Sequence, residues 1–147
     1  MTLAETESTL PVARELRPRT RARLLGAIFV GGIVGALARA LLERAAPAGP
    51  GSWPWATFGA NVGGSLLLGY LATRLGERLP PATFRRPLLG TGLCGALTTF
   101  STFQVELLDM AREGNVGLLV AYALASTAAC FAAVYLATAL TRRVRLG

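Results

Sequence analysis

Four long apolar runs, separated by short charged stretches, organise this chain. Residues 24–38 carry no charge, and the run reaches residue 42 if Arg39 is included. Further runs cover 51–73, 87–105 and 115–141. A bilayer core is about 30 Å thick and takes roughly 20 helical residues to cross. The second and fourth runs clear that length, and the first and third lie near its lower limit. The pattern predicts an all-α membrane protein with four transmembrane helices, over about 24–42, 51–73, 87–105 and 115–141. The separators hold most of the remaining charge, and four crossings put both chain ends on one side.

Ahead of the first run, residues 1–20 are polar and rich in Arg, and Pro11 and Pro18 oppose a continuous helix there. This stretch reads as a flexible basic tail, with 21–147 as the four-helix domain. The first run also fits a secretory signal, with its Arg-rich lead and Ala36-Leu37-Ala38 as a cleavage site. Against that reading stand Gly31, Gly32 and Gly35, which form a packing pattern, and the membrane-embedded character of everything that follows.

Composition narrows the function classes. The 147 residues are 52% hydrophobic and 16% charged, with a mean hydropathy of +0.48; a soluble domain carries about 25% charge. Disorder is excluded, because it needs low hydrophobicity and high charge. The pI is near 11, yet the basic residues form no stripe on a polar surface, which argues against nucleic-acid binding. There is no His, which removes most metalloenzyme and triad chemistry. Cys94 and Cys130 lie in apolar runs and read as small buried hydrophobes. No nucleotide motif is present, and nothing points to an enzyme. All 15 basic residues are Arg. Twelve fall on the side shared by the termini, against Arg44 and Arg112 on the other, or three with Arg39. By the positive-inside rule both termini face the cytoplasm.

Small residues let membrane helices approach closely. Gly31/Gly35 and Gly59/Gly63 are G-x-x-x-G pairs, and Ala121, Ala125, Ala129, Ala133 and Ala137 recur every fourth residue. These seams serve packing within the chain or between two subunits. In the third run, Gly90, Gly92, Gly95 and the threonines weaken a helix around 95–99. Either the helix breaks there and frees backbone groups for an ion, or it stays intact with hydroxyls bonded to the preceding turn. Phe100 and Phe103 share a helix face and offer either ring edges to an anion or simple packing. Asn61 is interhelical glue or a pore-side donor. Tyr122, Ser126 and Cys130 form a mildly polar stripe. Arg39 and Glu106 sit at span ends, where Arg39 can snorkel to the interface. No carboxylate lies deep in a span, which argues against a proton-coupled carrier.

The stretch Gly92-Leu93-Cys94-Gly95-Ala96-Leu97-Thr98-Thr99-Phe100-Ser101-Thr102-Phe103 closely resembles the signature of the CrcB/Fluc fluoride channels. Gly31 to Arg39 and Phe58 to Ser65 resemble that family's first- and second-helix motifs. The resemblance covers roughly 24–141. It implies a fluoride-selective passive channel in the cell membrane, built as an antiparallel dimer of four-helix subunits whose third helix is broken. It implies that carbonyls of Gly95 and Thr98 hold a structural Na⁺ and that Phe100 and Phe103 face fluoride. Asn61, Ser101, Thr102, Tyr122 and Ser126 become polar pore contacts, with Arg39 and Glu106 near the vestibules. The Arg bias departs from the simplest picture of one chain inserting both ways. It leads us to expect a fixed orientation and a paralogous partner inserted oppositely. Two rival readings are a small multidrug-type exporter and a non-conducting membrane-assembly subunit. The first lacks its carboxylate, and the second leaves Thr98 to Phe103 unexplained.

Overall fold

The computed structural model describes residues 18–78 and 84–143. Expectations for residues 1–17, including Arg14 and Arg17, and for Arg145 lie outside the described residues. The fold is all-helical, with no strand among the described residues. Helix α1 runs Pro18–Ala45, α2 Trp55–Arg78, α4 Ser101–Arg112 and α5 Val116–Arg143. Between α2 and α4, a π-helical segment, Pro87–Cys94, runs into the single turn α3, Gly95–Leu97. At 28 residues each, α1 and α5 are about 42 Å long. These two helices are long and apolar enough to cross a membrane.

Local chemistry sets the boundaries. Pro18 opens α1, where its missing N–H is one the first turn leaves unpaired anyway. The helix extends beyond the apolar run at both ends, because backbone hydrogen bonding does not stop where the side chains turn polar. Gly51 (φ +67°) makes the turn before Pro54 and α2, and Gly114 (φ +75°) makes the turn between α4 and α5. These two turns meet, since Gly51 N–H donates to Glu113 Oε2 at 3.0 Å and Asn115 Nδ2 donates to the same oxygen at 3.2 Å.

The helices do not pair in chain order. α1 packs along the π-helical segment and α3, while α2 packs along α5. A Cβ on Gly31 would meet Leu88 O and Leu93 N, one on Gly35 would meet Leu93 O and Leu97 N, and one on Gly92 would meet Ile28 O. The residue numbers rise together, so these two elements run parallel, backbone against backbone. Thr57 and Tyr122 share the Glu106 carboxylate at one level, and further along a Cβ on Gly69 would lie 2.8 Å from Val134 O, so α2 and α5 are also parallel. Helices too far apart in sequence for a short turn are thus the ones in closest contact.

The small-residue seams divide accordingly. Gly31 and Gly35 are buried within the chain. Gly59 and Gly63 are exposed, and a Cβ on either would meet nothing within 4 Å. On α5, Ala133 and Ala137 are buried while Ala121 and Ala125 are exposed. A four-residue step advances about 40° around a helix, so the stripe rotates from the open face into the contact with α2.

Candidate functional site

The backbone between α3 and α4 leaves the helix. Thr98 is extended (φ −77°, ψ 151°), and α4 restarts at Ser101 after Phe100. The hydrogen bonds of Thr98, Thr99 and Thr102 show what the break changes. Thr98 N–H donates to Cys94 O at 3.1 Å, and its hydroxyl back-bonds to the same carbonyl at 3.0 Å. Thr99 N–H would bond Gly95 O in a continuous helix. It donates instead to Asn61 Oδ1 at 2.7 Å, while Asn61 Nδ2 donates to Thr99 O at 3.0 Å. Thr102 N–H would bond Thr98 O, and it donates instead to Thr99 Oγ1 at 3.2 Å. The carbonyls of Gly95 and Thr98 have therefore each lost the donor a helix would supply. An amide side chain from α2 replaces one residue's worth of backbone pairing, which lets irregular backbone persist inside a low-dielectric environment.

This segment opens onto a groove of about 490 Å³, lined by Asn61, Ser65, Thr98, Thr99, Phe100, Phe103, Ser126 and Cys130 among others. Two polar stripes face one another across it. Thr57, Asn61 and Ser65 recur every fourth residue on α2, and Tyr122, Ser126 and Cys130 do so on α5. Ser126 is buried, and its Oγ has no hydrogen-bond partner among the described residues. Phe100 is 73% exposed and lies 6.3 Å, centroid to centroid, from Phe103. Phe103 lies 5.2 Å from the Tyr122 ring, which meets Trp53 edge-on at 5.2 Å. A row of aromatic rings thus leads from the break to the far end of the bundle.

Glu106 closes that row. Its carboxylate accepts hydrogen bonds from Thr57 Oγ1 at 2.5 Å and from Tyr122 OH at 2.7 Å, and both donors are almost fully buried. These two hydroxyls hold an acid that would be costly to bury alone. Arg39 lies apart from the groove. Its Nε donates to Ala96 O at 3.3 Å, and Nη1 pairs with Glu43 Oε1 at 2.8 Å. The guanidinium thereby ties α1 to a carbonyl at the end of α3.

The structure brings Asn61, Thr98, Phe100, Phe103 and Ser126 to one groove. Tyr122 points at Glu106. Ser101 and Thr102 cluster on the Thr99 hydroxyl, 3.4 and 3.1 Å away, outside the groove lining. Gly95 is exposed with nothing within 4 Å of a built Cβ. Sequence reasoning passed over Thr57, Thr99 and Trp53. The signal for Thr57 was present, because it stands one helical step from Asn61 and opens the same stripe.

The family model described as CrcB-like protein, Camphor Resistance (CrcB), matches residues 26–138. A Mycolicibacterium paratuberculosis protein named fluoride-specific ion channel FluC 1 is 56% identical over 124 residues, covering 84% of this chain and 94% of the relative. A Mycobacterium tuberculosis protein of the same name matches to the same extent. A Streptomyces coelicolor FluC 1 is 36% identical over 126 residues, covering 86% of this chain and 82% of the relative. The matched region takes in all of α2, the interrupted segment and the stripe on α5, and on this evidence the chain belongs to the CrcB family.

Proposed function

We propose that this chain is a subunit of a fluoride-selective passive channel that lets cytoplasmic fluoride leave a cell across its plasma membrane. The observation that carries the reading is the groove itself. It gathers the neutral donors Asn61 and Ser126 and the rings of Phe100 and Phe103, beside Thr98 and Thr99, without a formal charge. Fluoride is small, strongly hydrated and a strong acceptor. Neutral donors and positive ring edges replace its water without trapping it, the balance conduction requires. HF enters cells from acidic surroundings and dissociates in the more neutral cytoplasm, so a passive exit suffices to relieve toxicity. No chemical step is involved.

In this reading the π-helical segment with α3, and α4, are the two halves of one broken span, and the domain of 21–147 crosses the membrane four times. The exposed small positions Gly59 and Gly63, and the outward Leu124 and Phe131, support a second subunit against this face. An antiparallel partner completes the pathway, because one chain leaves the groove open. The Arg bias supports a fixed orientation with cytoplasmic termini and an oppositely inserted paralogue as that partner. The freed carbonyls of Gly95 and Thr98 are hard oxygen ligands on an open surface. Their donor chemistry suits a structural Na⁺ held jointly with the partner's equivalent carbonyls, fixing the break rather than being transported. Ser101, Thr102 and Tyr122 serve the pathway at its margins, and Glu106 and Arg39 flank its mouths.

The test is fluoride efflux from liposomes, read with a fluoride electrode against a chloride control. Phe100→Ile should abolish efflux while leaving subunit association intact. An assembly subunit would be indifferent to the change, and an exporter would need an ion gradient to move its substrate. Efflux from the purified chain alone would overturn the paralogue requirement, as would labelling of introduced terminal cysteines from both sides of the membrane.

A further inference from the structure

The parallel pairing of α1 with the π-helical segment, and of α2 with α5, gathers the chain's charge unevenly. One end of the bundle holds the start of α1, the end of α2, the start of the π-helical segment and the end of α5. Arg19, Arg21, Arg23, Arg85, Arg142 and Arg143 are all exposed there, and the one acidic position at that end among the described residues is Glu77. At the opposite end arginine meets carboxylate, as in Arg39–Glu43 at 2.8 Å and Arg112–Asp109 at 3.5 Å. Basic positions therefore outnumber acidic ones at the first rim among the described residues.

A groove of about 410 Å³ opens beside this rim, between α2 and the π-helical segment. Leu68, Leu71 and Leu75 line it along α2, Thr91 lies opposite, and Arg86 stands at its mouth. Arg86 is anchored in place, since its Nε and Nη2 donate to Leu75 O at 3.0 and 2.8 Å. From Leu75 to Leu68 the groove follows seven residues, about 10 Å of helix. That is the outer third of a hydrocarbon core about 30 Å thick. An apolar slot of that depth, running inward from a row of guanidinium groups, has the polarity profile of a phospholipid with an anionic head.

We infer that this rim and groove bind an anionic phospholipid of the adjoining leaflet, its acyl chain along Leu68–Leu75 and its phosphate among Arg85, Arg86 and the arginines closing α5. Guanidinium groups match phosphate oxygens in forked pairs, and basic clusters at a membrane surface concentrate anionic lipid. The inference is independent of what the channel conducts. It adds a lipid requirement confined to one face of the membrane.

Native mass spectrometry of the full chain with added phosphatidylglycerol or phosphatidylcholine tests it. The wild type should retain phosphatidylglycerol preferentially. Each substitution in Arg85→Gln, Arg142→Gln and Arg143→Gln should lower that preference by up to about fivefold. These side chains are exposed, so the fold should survive, and Arg86 is left in place because it holds Leu75 O. Ala72→Trp fills the groove from an exposed position and should reduce retention with every arginine present. Equal retention of the two lipids by the wild type would overturn the proposal. So would a preference that persists in the triple variant, or wild-type retention in Ala72→Trp.

Discussion

Two G-x-x-x-G pairs in this chain look equivalent as sequence and are opposite as structure. That difference predicts a change of sign. In Gly35→Ala the new methyl group would sit 3.0 Å from Leu97 N and closer still to Leu93 O, both backbone atoms that no rotamer change can move. At Gly92 the equivalent approach to Ile28 O is 2.6 Å, and ordinary contact begins at 3.4 Å. Relieving the Gly92 contact alone means moving two helices apart by roughly 0.8 Å along a packed seam, and the Gly35 contact needs more; overpacking of this kind costs about 1–3 kcal/mol. Alanine returns up to about 1 kcal/mol through its better helix propensity. The net for Gly35→Ala is a loss, of up to about 3 kcal/mol. In Gly59→Ala the methyl meets nothing within 4 Å, so only the propensity gain of about 0.5–1 kcal/mol remains within the subunit. Unfolding by titrated SDS, followed by the fluorescence of Trp53 and Trp55, reads both variants against wild type. If Gly59 lies against a partner, its variant loses stability at concentrations where the wild type associates, and that loss disappears on dilution, which separates association from folding. A Gly35→Ala protein as stable as Gly59→Ala at every concentration would refute the assignment of the first pair to the interior of the subunit.

Asn61→Ala should destabilise the chain by about 1–4 kcal/mol, because it leaves Thr99 N–H and Thr99 O without partners at a half-buried site. Asn61→Asp should recover only part of this, since it keeps the acceptor but sets an oxygen against Thr99 O; full recovery in the same unfolding assay would refute the bidentate role. Tyr122→Phe and Thr57→Val each remove one hydrogen bond to the Glu106 carboxylate and should cost about 1.5–3 kcal/mol apiece. Because the two share one acceptor, a double-mutant cycle should be non-additive. Additive losses would mean that the hydroxyls act independently of Glu106. Arg39→Gln should loosen α1 from α3 by removing the donor to Ala96 O, and amide hydrogen exchange at Thr98 and Thr99 should rise while exchange in α5 stays unchanged.

Sequence alone determined the class of this molecule and much of its site. Runs of apolar residues near the length of a bilayer crossing can be satisfied by helices in any arrangement, so the helices were legible without knowing how they pack. The weakness of the helix between Gly90 and Thr99 was equally plain, because glycine and threonine at that density oppose a helix, but whether it breaks was left to the fold. Pairing was decided by the tertiary structure. Nothing in the local pattern distinguishes Gly31/Gly35 from Gly59/Gly63, since a small residue permits close approach but does not say by what. Asn61 shows the same division. Its polarity required a partner, but only the fold brings α2 to the break, so that one amide closes both backbone groups of Thr99 instead of bonding another side chain. Thr57 and Glu106 lie 49 residues apart, and they meet because α5 packs against both α2 and α4. A hydrophobic pattern fixes which residues leave water, whereas the register between two helices depends on backbone contacts made across the whole chain.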